Sequence, residues 1–207
     1  MSLLPTIIHV VDDDSSFRTA VTRLLRAAKY EVRGYASASE FLESASCTAP
    51  GCILLDLRMP GASGFDLQQS LAAMEVRLPI IFLTGHGDIP ASVSAMKAGA
   101  IDFLTKPVRR ETLLGAVKNA LAIDAKEREA CAVLRELQDR YETLTPRECE
   151  VLAHVVSGKL NKQIAFDLGT AERTIKAHRA SIMEKLRVQS LADLVRVAQE
   201  LGVKPIR

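Results

Sequence analysis

Apolar residues along this chain follow two rhythms. In the first half they form four short runs, at residues 6–11 (TIIHVV), 52–55 (CILL), 80–83 (IIFL) and 101–104 (IDFL), rich in β-branched side chains and separated by helical or turn-like stretches. Runs of that length and composition predict buried strands. Beyond residue 109 the spacing becomes helical. Residues 109–144 contain no proline and a single glycine, Gly115, and read as one continuous helix, while residues 144–207 read as four shorter helices.

Each strand-like run ends at a residue with chemistry: the pair Asp12 and Asp13, then Asp56, Thr84 and Lys106. In an open parallel sheet, groups at the carboxyl ends of strands converge, so one rim is expected to carry three carboxylates, a hydroxyl and an ammonium. Clustered carboxylates raise one another's pKa unless a cation neutralises them. Magnesium suits this donor set, because it takes oxygen ligands, keeps several waters and is held by one or two carboxylates plus phosphate. Asp13 and Asp56 fit as direct ligands, with Asp12 acting through water. Asp56 is the candidate nucleophile, able to carry a phosphoryl group as an aspartyl phosphate. Lys106 and Thr84 would hold the phosphoryl oxygens.

At these residues the chain resembles the receiver domain of two-component response regulators. The resemblance spans roughly residues 5–123, in the motifs VVDDD (10–14), LDLRMPGASG (55–64), LTGHGD (83–88) and AMKAGAIDFLTKP (95–107). It implies a flavodoxin-like parallel sheet in the order 2-1-3-4-5, Asp56 as phosphoacceptor, and Asp12 and Asp13 as acid pocket. It further implies the backbone carbonyl of Arg58 as a metal ligand, Thr84 and Phe103 as a switch pair, and Lys106 as the phosphoryl-sensing lysine before a cis Pro107. Asp14 has two readings, a third metal-site acid or the N-cap of a helix at 15–28; its place just before an amphipathic run favours the cap.

Composition allows two modest domains: 207 residues, 48% hydrophobic and 25% charged. The apolar runs are too short to span a bilayer and the first residues carry no basic leader, so a soluble cytoplasmic protein with no membrane partner is expected. Cys47, Cys52, Cys131 and Cys149 show no metal-binding spacing and read as reduced bystanders. Residues 144–207 hold eleven Lys/Arg against seven Asp/Glu. That excess alone fits a solvated surface as well as a nucleic-acid partner.

The helical pattern there says more. Thr145, Pro146 and Glu148 form a capping-box start, Asn161 is expected to cap a short second helix, Gly169 turns the chain, and Ile175, Ile182 and Leu186 line one side of a third. Short helix, glycine turn and longer helix make a helix-turn-helix pattern. The stretches LTPRECEVL, GKLNKQIAFDLG and RTIKAHRASIMEKLRVQS resemble the LuxR-type DNA-binding domain of FixJ and NarL regulators, and the two-domain order is FixJ-like. The resemblance implies that residues 171–186 lie in the major groove. Arg173, Lys176, Ala177 and Ala180 then face the bases, while Lys162 and Arg179 contact phosphate. His178 reads as a packing residue. Relatives usually have an N-cap hydroxyl where this chain has Ala171, so that cap is missing or has moved back to Thr170.

Residues 1–123 are thus expected to form a receiver, 124–143 a helical linker continuous with its last helix, and 144–207 an all-α four-helix DNA-binding domain. Leu113, Ala116, Ala120, Ile123, Ala130, Leu134, Leu137, Tyr141 and Leu144 recur at heptad-like steps broken at Glu127. A dimer stalk and a spacer packing on its own domains both fit that stripe. The expected function is a transcription factor phosphorylated on Asp56 by a sensor histidine kinase and binding double-stranded promoter DNA. It would be a homodimer when phosphorylated, with RNA polymerase as a further partner, and no enzyme beyond self-phosphorylation and slow autodephosphorylation. A haloacid-dehalogenase-like phosphatase, with Asp12 as nucleophile, is the rival from another class; it needs an acidic pair after the lysine, and PVRRETLLGAVKN has one Glu. An adaptor that binds only protein is the third reading.

Overall fold

The computed structural model describes residues 5–44, 47–85 and 89–206. The chain divides into two compact units, Met1–Glu127 and Arg128–Arg207. In the first, β1 (Ile7–Val11), β2 (Glu31–Tyr35), β3 (Gly51–Asp56), β4 (Ile80–Thr84) and β5 (Asp102–Thr105) alternate with α1 (Ser15–Ala27), α2 (Ala38–Ser44), α3 (Gly64–Ala73) and α4 (Ile89–Lys97). All four strand pairings are parallel and the order is β2-β1-β3-β4-β5. The four expected strands are present within a residue or two. The fifth, EVRGY, shows only two buried positions and gave no apolar run to find.

β1, β3 and β4 are buried along their whole length, as expected of a parallel sheet covered on both faces. One face packs Phe41, Ile53, Leu55, Leu67 and Phe82; the other packs Ile8, Leu25, Leu54, Ile81, Leu113 and Val117. Local chemistry sets the helix starts. Asp14 caps α1 by accepting from the backbone N–H of Ser16 and Phe17, which holds its carboxyl below the usual range. Ser63 and Asp66 form a capping box for α3. Gly64 is required there: a Cβ would lie 2.4 Å from the Asp56 carbonyl oxygen and 2.9 Å from the Phe82 ring. That close approach lets α3 begin directly under the end of β3.

α5 (Arg110–Glu142) is the long helix expected for residues 109–144. Its first turns belong to the first unit, where Leu113, Ala116, Val117 and Ala120 enter the core and Asp124 accepts from the Gly51 N–H at 3.0 Å. The second unit holds its last turns with α6 (Pro146–Val156), α7 (Asn161–Asp167), α8 (Glu172–Lys185) and α9 (Leu191–Glu200). Its core includes Leu137, Leu144, Val151, Leu152, Ile164, Ile175, Ile182, Leu186 and Leu194. The heptad-like stripe is therefore consumed at both ends by the cores of the two units, and only its middle, around Ala130 and Leu134, is exposed.

One cap assignment needs correction and one open alternative is decided. Asn161 is the first residue of α7 and not its cap; Leu160 takes that place, with its N–H donating to Gln163 Oε1 at 2.8 Å. Asn161 Oδ1 is occupied elsewhere, accepting from Arg179 Nη1 at 2.7 Å. For α8 the cap is Ala171, which offers no side-chain bond, so the hydroxyl is lost and not transferred to Thr170. Cys47, Cys52, Cys131 and Cys149 form no disulfide among the described residues. No helix of the described residues is long and apolar enough to cross a membrane.

Candidate functional site

The carboxyl ends of β1, β3, β4 and β5 bring the strand-closing residues together. Lys106 lies just past β5, after its N–H donates to the Thr84 carbonyl at 2.7 Å. Its Nζ donates to Asp12 Oδ2 at 2.6 Å and to Asp56 Oδ2 at 2.8 Å. The peptide bond to Pro107 is cis. Asp12 is fully buried, Asp56 nearly so, and Asp13 exposed; one ligand oxygen from each lies within 4.8 Å of the others. This graded set, open on one side, fits a hard divalent cation that keeps water ligands. Asp56 Oδ1 accepts from the Arg58 N–H at 3.2 Å, so the loop carrying the Arg58 carbonyl turns at the carboxylate.

Electrostatics follow from that burial. Removal from water pushes the Asp12 carboxyl up, and the bond and charge from Lys106 only partly offset it. Burial alone would lower the Lys106 pKa, but its bonds to Asp12 and Asp56 outweigh the loss of water and raise it. The lysine thus keeps its proton and shares one positive charge between Asp12 and Asp56. Phe17 adds a contact that no strand-end pattern reveals: the ammonium sits 4.3 Å from its ring centroid. Thr84 is buried at the end of β4, and Phe103 on β5 is half-buried with its ring 6.4 Å from Phe82. Of the motif at 83–88, residues 86–88 lie outside the described residues.

In the second unit, α8 presents Arg173, Lys176, Ala177 and Ala180 to solvent while Ile175 and Ile182 are buried, which is the expected outer face. Lys176 pairs with Glu172 at 3.3 Å, and both side chains are exposed. Lys162 is exposed on α7. Arg179 is half-buried and tied to Asn161, so it joins α8 to the start of α7. His178 is half-buried, as its spacing implied.

Glu148 emerges as a positioning residue that sequence reasoning placed only in a capping box. Its carboxylate accepts from the Thr145 N–H at 2.8 Å, from Ser181 Oγ at 2.6 Å and from Lys185 Nζ at 2.7 Å. Burial pushes this carboxyl up, but those bonds outweigh it and bring the pKa down to about 2. One buried acid thus fixes α8 against α6.

Residues 8–118 match the response regulator receiver domain family, and residues 142–198 match the luxR family of bacterial regulatory proteins. The chain is a response regulator. Its relatives include Nodulation protein W of Bradyrhizobium diazoefficiens, 48% identical over 95% of this chain and 87% of that protein, and the transcriptional regulatory protein FixJ of Rhizobium meliloti, 38% identical over 96% and 97%. The solved structure of response regulator StyR is 46% identical, with a TM-score of 0.84, covering 95% of this chain and 99% of that one. This response regulator is therefore a DNA-binding transcriptional regulator of the FixJ-like, LuxR-type class. The phosphatase reading has no part in that assignment.

Proposed function

We propose that this response regulator accepts a phosphoryl group on Asp56 from a sensor histidine kinase and so controls promoter binding by α8. The observation that carries the reading is the Lys106 ammonium, bonded at once to Asp12 and Asp56 in a pocket whose third acid, Asp13, stays exposed. The Asp56 carboxylate attacks phosphorus, the bond from phosphorus to the donor's imidazole nitrogen breaks, and the leaving imidazole takes up a proton. Asp13, Asp56 and the Arg58 carbonyl, with Asp12 through water, would hold magnesium, which when bound would supply charge neutralisation at the phosphoryl oxygens. Lys106 follows the new negative charge and Thr84 donates to a phosphoryl oxygen. Movement of Thr84 draws Phe103 inward, shifting a pre-existing equilibrium on the face of α4, β5 and α5.

The consequence is homodimerisation, which delivers two copies of α8 to a two-fold promoter site. Lys176 and Arg173 supply cations there, Ala177 and Ala180 allow close approach to base edges, and Lys162 contacts phosphate. Arg179 orients α8 through Asn161. RNA polymerase is the downstream partner. Incubation with magnesium and a small acyl phosphate is expected to label wild type and leave Asp56→Asn unlabelled. An acid-labile label retained in Asp56→Asn and lost in Asp12→Asn would overturn the assignment of the phosphoacceptor.

A further inference from the structure

α1 has three arginines and no acidic residue in its sequence SSFRTAVTRLLRA. Arg18, Thr22 and Arg26 recur every four residues and so share one stripe, with Thr19 and Arg23 beside it. These five residues and Gly34 of β2 line a groove of about 250 Å³. We propose that this groove binds a small oligophosphate, of the size of pyrophosphate or the phosphate tail of a nucleotide. None of its lining residues belongs to the acid pocket, although Arg18 reaches the Asp12 backbone carbonyl.

Three observations point to that ligand class. Two of the three guanidiniums are oriented without being neutralised: Arg26 Nη2 donates to the Val32 carbonyl at 3.0 Å, and Arg18 Nη1 to the Asp12 carbonyl. Carbonyls fix the planes and leave the charge, and among the described residues none of the three arginines is ion-paired with a carboxylate. Asp14 feels the Arg18 charge, but its oxygen is committed to the cap of α1. Next, the donors outnumber what a single carboxylate accepts. Three guanidinium forks and two hydroxyls match the oxygens of two linked phosphates, which arginine binds in bidentate fashion. Last, the absence of a side chain at Gly34 lets the Arg18 stem and Thr22 lie close over β2: a Cβ there would sit 3.4 Å from Arg18 Cγ and Cδ and 3.8 Å from Thr22 Oγ1. The volume falls just below the usual range for small-molecule sites, as suits a ligand no larger than two linked phosphates.

Because Arg18 also holds the Asp12 carbonyl, filling the groove competes for a group that borders the acid pocket, and any coupling acts in both directions. The test uses the isotope-labelled full chain without magnesium at about 150 mM salt, where screening suppresses loose surface association. Titration with inorganic pyrophosphate is expected to give saturable amide shifts centred on Thr19, Thr22 and Gly34, unaltered in Asp56→Asn. Arg23→Gln with Arg26→Gln should weaken binding about tenfold or more, as expected for lost charge-assisted bonds. Gly34→Leu, whose side chain must displace the Arg18 stem and Thr22 that lie over this position, should abolish saturation. Orthophosphate should bind more weakly than pyrophosphate. Shifts confined to Thr84 and Lys106, absence of saturation, or undiminished binding in both groove variants would overturn the proposal.

Discussion

Glu148 shows what a single buried acid does in this molecule. Replacing it with Gln keeps the volume and removes the charge that Lys185, Ser181 and the Thr145 N–H converge on. A drop from the ordinary 4.5 to about 2 corresponds to roughly 3 kcal/mol. Lys185 is about one-third exposed, so about 2 kcal/mol is the better expectation for Glu148→Gln. The sign follows from linkage: a depressed carboxyl pKa contributes stability that is present above pH 4.5 and lost as pH falls toward 2. Hydrogen exchange of α6 and α8 amides in the full chain should be faster in Glu148→Gln at neutral pH, and the two proteins should converge in acid. Equal protection at neutral pH would remove the anchoring role. The capping box was readable from Thr145 and Glu148 because it is local. The bonds to Ser181 and Lys185, 33 and 37 residues away, follow only from how α6 packs on α8.

At the scale of an element, α8 is the helix proposed to contact DNA. Its outer face was legible because buried Ile175 and Ile182 at helical spacing leave Arg173, Lys176, Ala177 and Ala180 outward. Arg179 was not legible: helical spacing gives a direction, and only the neighbouring helix decides that the guanidinium meets Asn161. Lys176 pairs with an exposed glutamate at 3.3 Å, an interaction of the kind that contributes a few tenths of a kcal/mol and is readily exchanged for phosphate. Lys176→Ala is expected to weaken binding to all DNA sequences and flatten the salt dependence by about one unit of slope. Loss of sequence preference should be the smaller effect, since the adjacent alanines cannot hydrogen-bond bases. Equal binding by wild type and Lys176→Ala across a salt titration would take this side chain out of the interface.

For the whole molecule, the long helix raises the question of assembly. Val133 and Leu134 are exposed, whereas Leu137 is buried in the second unit. Charge placed at Leu137 would therefore damage that unit's core, and the informative variant is Val133→Lys with Leu134→Lys. If this segment joins two copies, the double variant should raise the dissociation constant of the phosphorylated dimer about tenfold or more, because desolvating two ammonium groups costs at least that much. Phosphorylation of Asp56 should proceed at the wild-type rate. Sedimentation unchanged by the two lysines would make the exposed stretch a spacer.

The chain's sequence alone determined the parallel-sheet class, the rim of Asp12, Asp13, Asp56, Thr84 and Lys106, and the helix-turn-helix pattern. Those features rest on short-range rules: strand runs end where the sheet ends, and caps and turns lie within a few residues of the elements they bound. Tertiary structure decided the rest. β2 became a strand through pairing with β1 despite having only two buried positions. Phe17 came to lie under Lys106, Glu148 reached α8, and the apolar stripe of α5 was divided between two cores. In each case the partner is distant along the chain, and side-chain periodicity specifies a face without naming what will be packed against it.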